Sequence, residues 1–578
     1  MKYSAACIML ATCYAAFLTP AAQAADGVSQ SFVASPSYND SSGSGGELHI
    51  SSMPGNSGYT PGSSGQSSQT GSSRQPANSV AQNAPLTTQP DACNRLGMNI
   101  EPVTFYSASM PFNDLAIAAQ PWHRPWNSKY GNKPIMVDAQ GNPLDASPDT
   151  TVQSMISSFV WMNGYPTKPY VLTWQGAGVV TPGGTVKIIS TNIHQVTFVM
   201  TGKNLYLTAT TDPSDPVHAI HILPQGMTTN PPLLSTAYLN MIRHFSTLRF
   251  MEMEKTNGST LVHWSDRAHV GDYSFLTKGL PYEYIIAIAQ AAHASLWVNI
   301  PTLADDDYIR QMAQFFKANM QPWQTVYVEY SNEAWNAGSF PAYNQLKAMG
   351  LSWGYPAQKA SVQAYSTQVA KVADVWHQVF GSSGYGPQVK VIMGGQTDNP
   401  WVLQQAMAFN GNGYKVDAAA VAYYVGGHEL INAKNAEQWA GGSSQSVEDG
   451  MVGPALREVT GLIKQNMQTA AYYKKPLYLY EGGQNLVAAG MEPNGMPMQN
   501  DDRILTLFDQ TNRDSGMYGV YQHFLYNWEA QLNSPLYMMY EMSSPYTKYG
   551  YWGLLQSQGQ AVSNAPKLNA VYDFCKWQ

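Results

Sequence analysis

Along most of its length the chain alternates between two spacings of hydrophobic residues. Short, nearly continuous apolar runs are followed by longer stretches whose apolar positions return at helical spacing. LGMNIEPVTFY (96–106) reads as a first strand. After a long interruption come a helix over 234–245 and strand STLRFMEM, then a helix over 282–292 and strand SLWVNIP. A helix over 306–319 leads to VYVEY, one over 357–380 to VKVIMGG, and one over 401–410 to DAAAVAYYV. A helix over 454–473 precedes PLYLYEGG, a helix over 502–514 precedes MYGVYQHFLYNW, and Pro566 opens a last helix ending near Cys575. Eight strands alternating with helices predict a parallel (β/α)8 TIM barrel, whose strands are apolar throughout because both faces are covered. An open doubly wound sheet would require a glycine-rich phosphate loop after the first strand, and none is present.

The interruption, 124–227, has a different period. PYVLTWQGAGVV, GTVKIIS, QVTFVMTG and NLYLTATT alternate at period two and are split by Gly, Pro and Asn turns. This pattern predicts an antiparallel β domain inserted after strand one, leaving 91–123 and 228–578 to the barrel. Because the first strand-to-helix loop lies on the active face of a barrel, the insert is expected to wall the cleft.

The N-terminus has neither pattern. Residues 1–24 carry one lysine, an apolar run and an Ala-Gln-Ala ending, as a secretory signal peptide does. A lipoprotein signal through LATC is the alternative; Thr12 fits it poorly and it leaves 14–24 without a role. Residues 25–90 are Ser-, Gly-, Asn-, Gln- and Pro-rich and have too few large aliphatics to form a core, so a disordered linker is expected there. No later apolar run is long enough to span a bilayer. A secreted protein, periplasmic or extracellular and acting as a monomer, is expected.

Composition narrows the partners. Charged residues form 12% of the chain and the net charge is −7, without a charged block, which excludes an electrostatic footprint for nucleic acid. The 36 tyrosines and 15 tryptophans suit a neutral, ring-shaped ligand such as a sugar, and equally suit a large β-rich core. Of four cysteines, Cys7 and Cys13 leave with the signal. Cys93 and Cys575 then stand at the two ends of the folded region, where one disulfide would pin them together.

The stretch VYVEYSNEAWN carries two glutamates, Glu329 and Glu333. Residues two apart on a strand share a side, yet four residues span roughly 13 Å. Glu333 therefore falls at the carboxyl end, where barrel enzymes place their chemistry, and Glu329 falls inside the barrel. A carboxylate there needs a partner, and Arg249 in STLRFMEM is one option. The second carboxylate of an acid/base pair has to come from another strand end. Glu481 in PLYLYEGG fits, followed by two glycines that permit a sharp turn and close ligand approach. HWSDRAH (263–269) is dense in possible ligands but lacks metal-site spacing and reads as a loop at the cleft rim. There is no Gly-x-Ser-x-Gly elbow, no reactive thiol, and no cofactor or metal is expected.

With Asn332-Glu333 ending the fourth strand and Glu481 the seventh, the sequence resembles the clan A, or 4/7, retaining glycoside hydrolases. RFMEM…TN…W.DR, YVEYSNEAWN and the β insert look more closely like a group of secreted bacterial barrel proteins described as glycoside hydrolases or cellulose-binding proteins. The resemblance covers most of 91–578. It implies Glu333 as acid/base, Glu481 as nucleophile and Asn332 at the sugar 2-hydroxyl. Arg249 would steady the nucleophile, a role that competes with pairing to Glu329. Tyr424 and Asn299 become substrate-binding candidates, and Trp528 a stacking platform after strand eight; Trp335 is read as packing. Two departures stand out. The strand-six His-x-Tyr is Ala422-Tyr423-Tyr424 here, and Asn299 replaces a histidine found in some families. The expected activity is retaining hydrolysis of β-glycosidic bonds in a neutral polysaccharide such as a β-glucan. A carbohydrate-binding barrel without turnover, or a transglycosylase using the same glutamates, are the alternatives.

Overall fold

The computed structural model of the protein describes residues 93–577 apart from 126–134, 145–151, 228–230, 338–339, 382–387, 428–429, 433 and 490–497. The expected signal peptide and linker lie outside the described residues. Strand β1 (Leu96–Asn99) is followed by β2 (Val152–Ser158), β3 (Tyr170–Gln175), β4 (Gly178–Asn192), β5 (Gln195–Thr211) and β6 (His218–Pro224). Then come β7 (Thr247–Arg249), β8 (Ser295–Ile300), β9 (Thr325–Tyr330), β10 (Gln388–Gly394), β11 (Ala418–Val425), β12 (Leu477–Gln484) and β13 (Tyr537–Met539). Strands β1 and β7–β13 pair in parallel and close into a barrel, and β13 returns to β1. Helices separate successive barrel strands, so the fold is a (β/α)8 barrel. Strands β2–β6 form a separate antiparallel sheet, in the order β2-β5-β3-β6 with β4 also on β5.

The eighth strand is not where the hydrophobic run placed it. MYGVYQHFLYNW is a helix, Met517–Asn527, continuing into the turn Trp528–Leu532. Its buried residues Met517, Val520, Tyr521, Phe524, Leu525 and Trp528 recur at spacings of three and four, the helical period. The strand is the three-residue β13, too short to show a period. The first strand is also short, ending at Asn99 rather than continuing to Tyr106.

The barrel interior is filled by inward residues of successive strands, among them Trp297, Ile392, Ala420, Tyr478 and Met538. Large and small alternate: a Cβ on Gly97 of β1 would lie 2.3 Å from the Met538 sulfur. The antiparallel sheet has its own core around Trp122, Phe159, Leu172, Phe198 and Leu207. It meets the rest of the chain through Trp122, stacked on Tyr273 with ring centroids 4.7 Å apart.

The two ends of the barrel are joined covalently. Cys93, just before β1, and Cys575, closing the helix Pro566–Cys575, form a buried disulfide with Cα atoms 5.6 Å apart. The bridge closes a loop across a separation of 482 residues, so it removes much of the unfolded chain's freedom. Replacing both cysteines by serine should lower unfolding free energy by about 2–5 kcal/mol. Urea midpoints of the variant and the oxidised wild type check this, and equal midpoints would refute it.

Candidate active site

The carboxyl ends of the barrel strands surround a cavity of about 380 Å³. At its floor lies Arg249, the last residue of β7, with no exposed surface. Register places Arg249 beside Asn99 of β1 and Trp297 of β8. One terminal nitrogen donates to Asn99 Oδ1 (2.9 Å) and Glu481 Oε2 (3.0 Å). The other donates to Glu329 Oε2 and Asn332 Oδ1, both at 2.9 Å. Pairing with Glu329 and steadying Glu481 are therefore not alternatives, because one guanidinium does both. The faces of Trp297 and Tyr480 flank it, 5.7 and 5.2 Å from the guanidinium carbon. Glu329 also accepts Trp297 Nε1 at 2.9 Å, which makes it a buried support.

Glu333 and Glu481 both line the cavity, with Asn332 and Tyr424. Glu333 reaches it because the chain breaks from β geometry directly after β9: Ser331 has φ 62° and Glu333 φ 41°. Positive φ is uncommon for such residues and is held here by surrounding contacts. Thr302 and Ser331 hydroxyls bond at 2.8 Å, and Asn299 donates to the Ser331 carbonyl at 2.7 Å. Asn299 is thus a buried brace for the strand end and does not line the cavity, contrary to its expected contact with substrate.

Glu481 reaches the cavity by another device. Pairing between β11 and β12 runs from Val421–Leu479 directly to Tyr423–Gly482, so Tyr480 and Glu481 together oppose Ala422. The extra residue turns both consecutive side chains into the cavity, where alternation would allow one. Gly482 is required beside it, since a Cβ would lie 2.3 Å from the Tyr423 carbonyl oxygen. The glycines therefore serve strand packing, and β12 continues through Gln484 rather than turning sharply.

Burial pushes the Glu333 carboxyl above the ordinary range, and the Asn336 amide, which donates to it at 3.1 Å, opposes the shift. Burial also raises Glu481; Arg249 opposes this, and the negative charge of Glu333 adds to it. The two carboxyls are close enough to resist ionising together.

Trp528 is excluded from the cavity. It is fully buried behind the barrel wall, where its indole donates to the Ser534 carbonyl at 3.2 Å and Arg95 lies over its ring. The aromatic surface comes instead from Tyr480, Trp335, Tyr540 and Trp552. Trp335, read from sequence as packing, both packs against Tyr365 and lines the cavity. Tyr540 follows the true eighth strand directly, so misplacing that strand hid it. Glu252 was also missed, although it stands only three residues beyond Arg249. Among the described residues the antiparallel sheet contributes nothing to the cavity wall, against expectation. HWSDRAH lies elsewhere: His263 bonds Asp305 at 2.7 Å and Arg267 forks onto Glu283 at 3.0 and 3.1 Å. Among the described residues no group of three or more His, Cys, Asp or Glu is placed to hold a metal ion, and no helix is long and apolar enough to cross a membrane.

Removing Arg249 would strand two buried carboxylates. Arg249→Met should destabilise by about 3–5 kcal/mol at neutral pH, read as a urea midpoint shift; a shift under about 1 kcal/mol would contradict the shared-cation account. Glu254 gives a test with a pH sign. Its Oε2 accepts the Asn299 backbone N–H at 2.8 Å while Oε1 is buried without a partner. Burial raises it from 4.5 to about 8. A raised carboxyl contributes stability that is present below 4.5 and lost as pH climbs through about 8. Glu254→Gln should therefore gain on the wild type as pH rises from 5 to 9, with denaturant midpoints as the measure; a constant gap would refute it.

No protein-family model and no curated protein matches the sequence. Several solved structures are similar at low identity. The GH51 arabinofuranosidase from Xanthomonas axonopodis pv. citri is 14% identical with TM-score 0.36, over 55% of this chain and 62% of that one. The present chain thus spans under two thirds of that protein. Endoglucanase Cel5A from Thermotoga maritima is 12% identical with TM-score 0.31, over 58% and 88%. The catalytic core of a xylanase A is 11% identical with TM-score 0.32, over 59% and 92%.

Proposed function

We propose that the protein is a secreted, retaining glycoside hydrolase that cleaves β-glycosidic bonds of a polysaccharide such as a β-glucan. The observation that carries this reading is the unequal environment of two carboxyls facing one cavity. Glu481 accepts a charge-assisted hydrogen bond from Arg249, whereas the donors to Glu333 among the described residues are neutral, the Asn336 amide and the Tyr480 hydroxyl. Against the burial that raises both groups, the Arg249 bond favours the negative charge on Glu481 and leaves the shared proton to Glu333. That is the division of labour double displacement needs.

Glu333 gives its proton to the glycosidic oxygen as the bond to the anomeric carbon breaks, and Glu481 attacks that carbon to form an ester. Glu333, now a carboxylate, takes a proton from water, whose oxygen displaces Glu481 and restores both groups. Asn332, oriented by Arg249 and by its own hydrogen bond to Asn257 at 3.1 Å, supplies an amide for the sugar 2-hydroxyl. Tyr424, from the end of β11 two strands round the barrel from β9, contributes a hydroxyl. Ala422 stands in the lining where clan members often have histidine. This favours, as the second reading, a carbohydrate-binding barrel without turnover.

Glu333→Gln should cut release of reducing sugar from a susceptible β-glucan by about 10²–10⁴-fold, and Glu481→Gln by at least as much. Wild-type activity should be bell-shaped in pH, with the acid limb from protonation of Glu481 and the alkaline limb from loss of the Glu333 proton. Glu333→Gln should lose the alkaline limb. Full activity in both variants would sink the catalytic assignment, and binding without cleavage by the wild type across a broad glycan panel would favour the second reading.

A further inference from the structure

The charged side chains lining the cavity are all acidic: Glu252, Glu333, Asp398 and Glu481. Among the described residues no lysine, arginine or histidine lines it. Arg249 is buried below the floor with both terminal nitrogens already committed to Glu329, Glu481 and two amides. The double-displacement mechanism accounts for Glu333 and Glu481 only. Glu252 has no part in that chemistry. Among the described residues its one side-chain hydrogen bond is a long one, from the Tyr540 hydroxyl at 3.5 Å, so it keeps nearly all its accepting capacity toward them. It is half-buried and faces the cavity from the β7 side. Burial raises its carboxyl, opposed by the charges of Lys255 and Arg249 and by the Tyr540 hydroxyl, and neither cation lines the cavity.

We infer that the part of the cleft beside Glu252 takes a sugar bearing a free, protonated amine, so that β-linked glycans containing glucosamine are bound ahead of all-glucose chains. The inference rests on the glycosidase reading of the cavity and narrows the neutral glycan that composition suggested. An ammonium group donates up to three charge-assisted hydrogen bonds and offsets the surplus of carboxylates, whereas a hydroxyl donates one neutral bond. A uronic acid would add another negative charge to an acidic wall and is disfavoured by the same field.

The test compares two β-1,4-linked tetrasaccharides, one of glucose and one of glucosamine. Binding is measured by calorimetry at mildly acidic pH on Glu333→Gln protein, which holds ligand without turnover. The glucosamine tetramer should bind about tenfold tighter or more, as expected for a hydrogen bond between charged groups. Adding Glu252→Gln should bring the ratio of the two affinities close to one, and raising the salt concentration should shrink it in the Glu252 protein. Asp306→Asn, at an exposed helix start outside the lining and paired with Lys371, should leave the ratio unchanged. Equal affinities, or a preference that survives Glu252→Gln, overturn the inference while leaving the glycosidase reading intact. If neither tetramer binds and the wild type cleaves no β-glycan, both fall together.

Discussion

The upper half of this barrel is organised around one buried positive charge. Taking a guanidinium out of water costs several kcal/mol, and attraction to carboxylates compensates only when geometry and hydrogen bonding are close to complete. Arg249 meets that condition with four oxygens drawn from three other strands: Asn99 from β1, Glu329 and Asn332 from the end of β9, and Glu481 from β12. Asn99 in turn donates to the Tyr480 and Met539 carbonyls, tying β12 and β13 into the same knot. The contacts that hold the strand ends together and those that hold the proposed nucleophile are thus one network. Moving any strand end would loosen the site, and losing the site's charge would loosen the barrel.

Around that fixed centre, the two proposed catalytic carboxyls depend on departures from regular β structure. An ideal β9 would end before Glu333, and an ideal β12 would turn Glu481 away from Tyr480's side. Positive φ at Ser331 and Glu333 and the extra residue opposite Ala422 correct both. Each departure is braced: Asn299 and Thr302 hold Ser331, and the absence of a side chain on Gly482 admits the Tyr423 carbonyl. Regular alternation therefore builds the floor of the cavity, and local irregularity builds its reactive wall.

That division explains what could be read in the chain. Periodicity revealed the eight-stranded alternation and the interruption, because both repeat over many residues. Ordinal position then picked out Glu333 and Glu481 at the ends of β9 and β12, where the structure has them facing a common cavity. Trp528 failed because a run of aromatics and aliphatics was taken as a strand although Met517, Val520, Tyr521 and Phe524 follow helical spacing. The real strand, Tyr537–Met539, is three residues long and has no period to detect. Its misplacement concealed Tyr540 and Trp552. Asn299 failed differently: its strand position was right, but whether an amide faces ligand or a neighbouring carbonyl depends on a turn no local pattern encodes. The insert's place in the chain was legible, and the absence of its described residues from the cavity lining was not.

The aromatic side of the cavity is held by a different set of contacts from the acidic side. Trp552 sits on the loop after β13, outside the barrel hydrogen-bond ladder. Its neighbours Tyr551 and Gly553 offer their carbonyls to Lys567, which is fully buried in the last helix, and Gln484 at the end of β12 donates to Tyr551 as well. Desolvation, with the charge of Arg513 adding to it, drives Lys567 well below its usual range, and those carbonyls and the Tyr546 ring 4.4 Å away are the partners its buried nitrogen has. The same helix ends at Cys575, where the disulfide fixes it to the start of β1. The loop bearing Trp552 is consequently anchored through the far end of the chain as well as through the end of β12, while Arg249 anchors Glu481 directly and Glu333 through its neighbour Asn332. The two supports meet at β12, which carries Glu481 and whose end holds the Trp552 loop through Gln484 and, just beyond it, Asn485, so the proposed recognition wall and the proposed nucleophile share one strand.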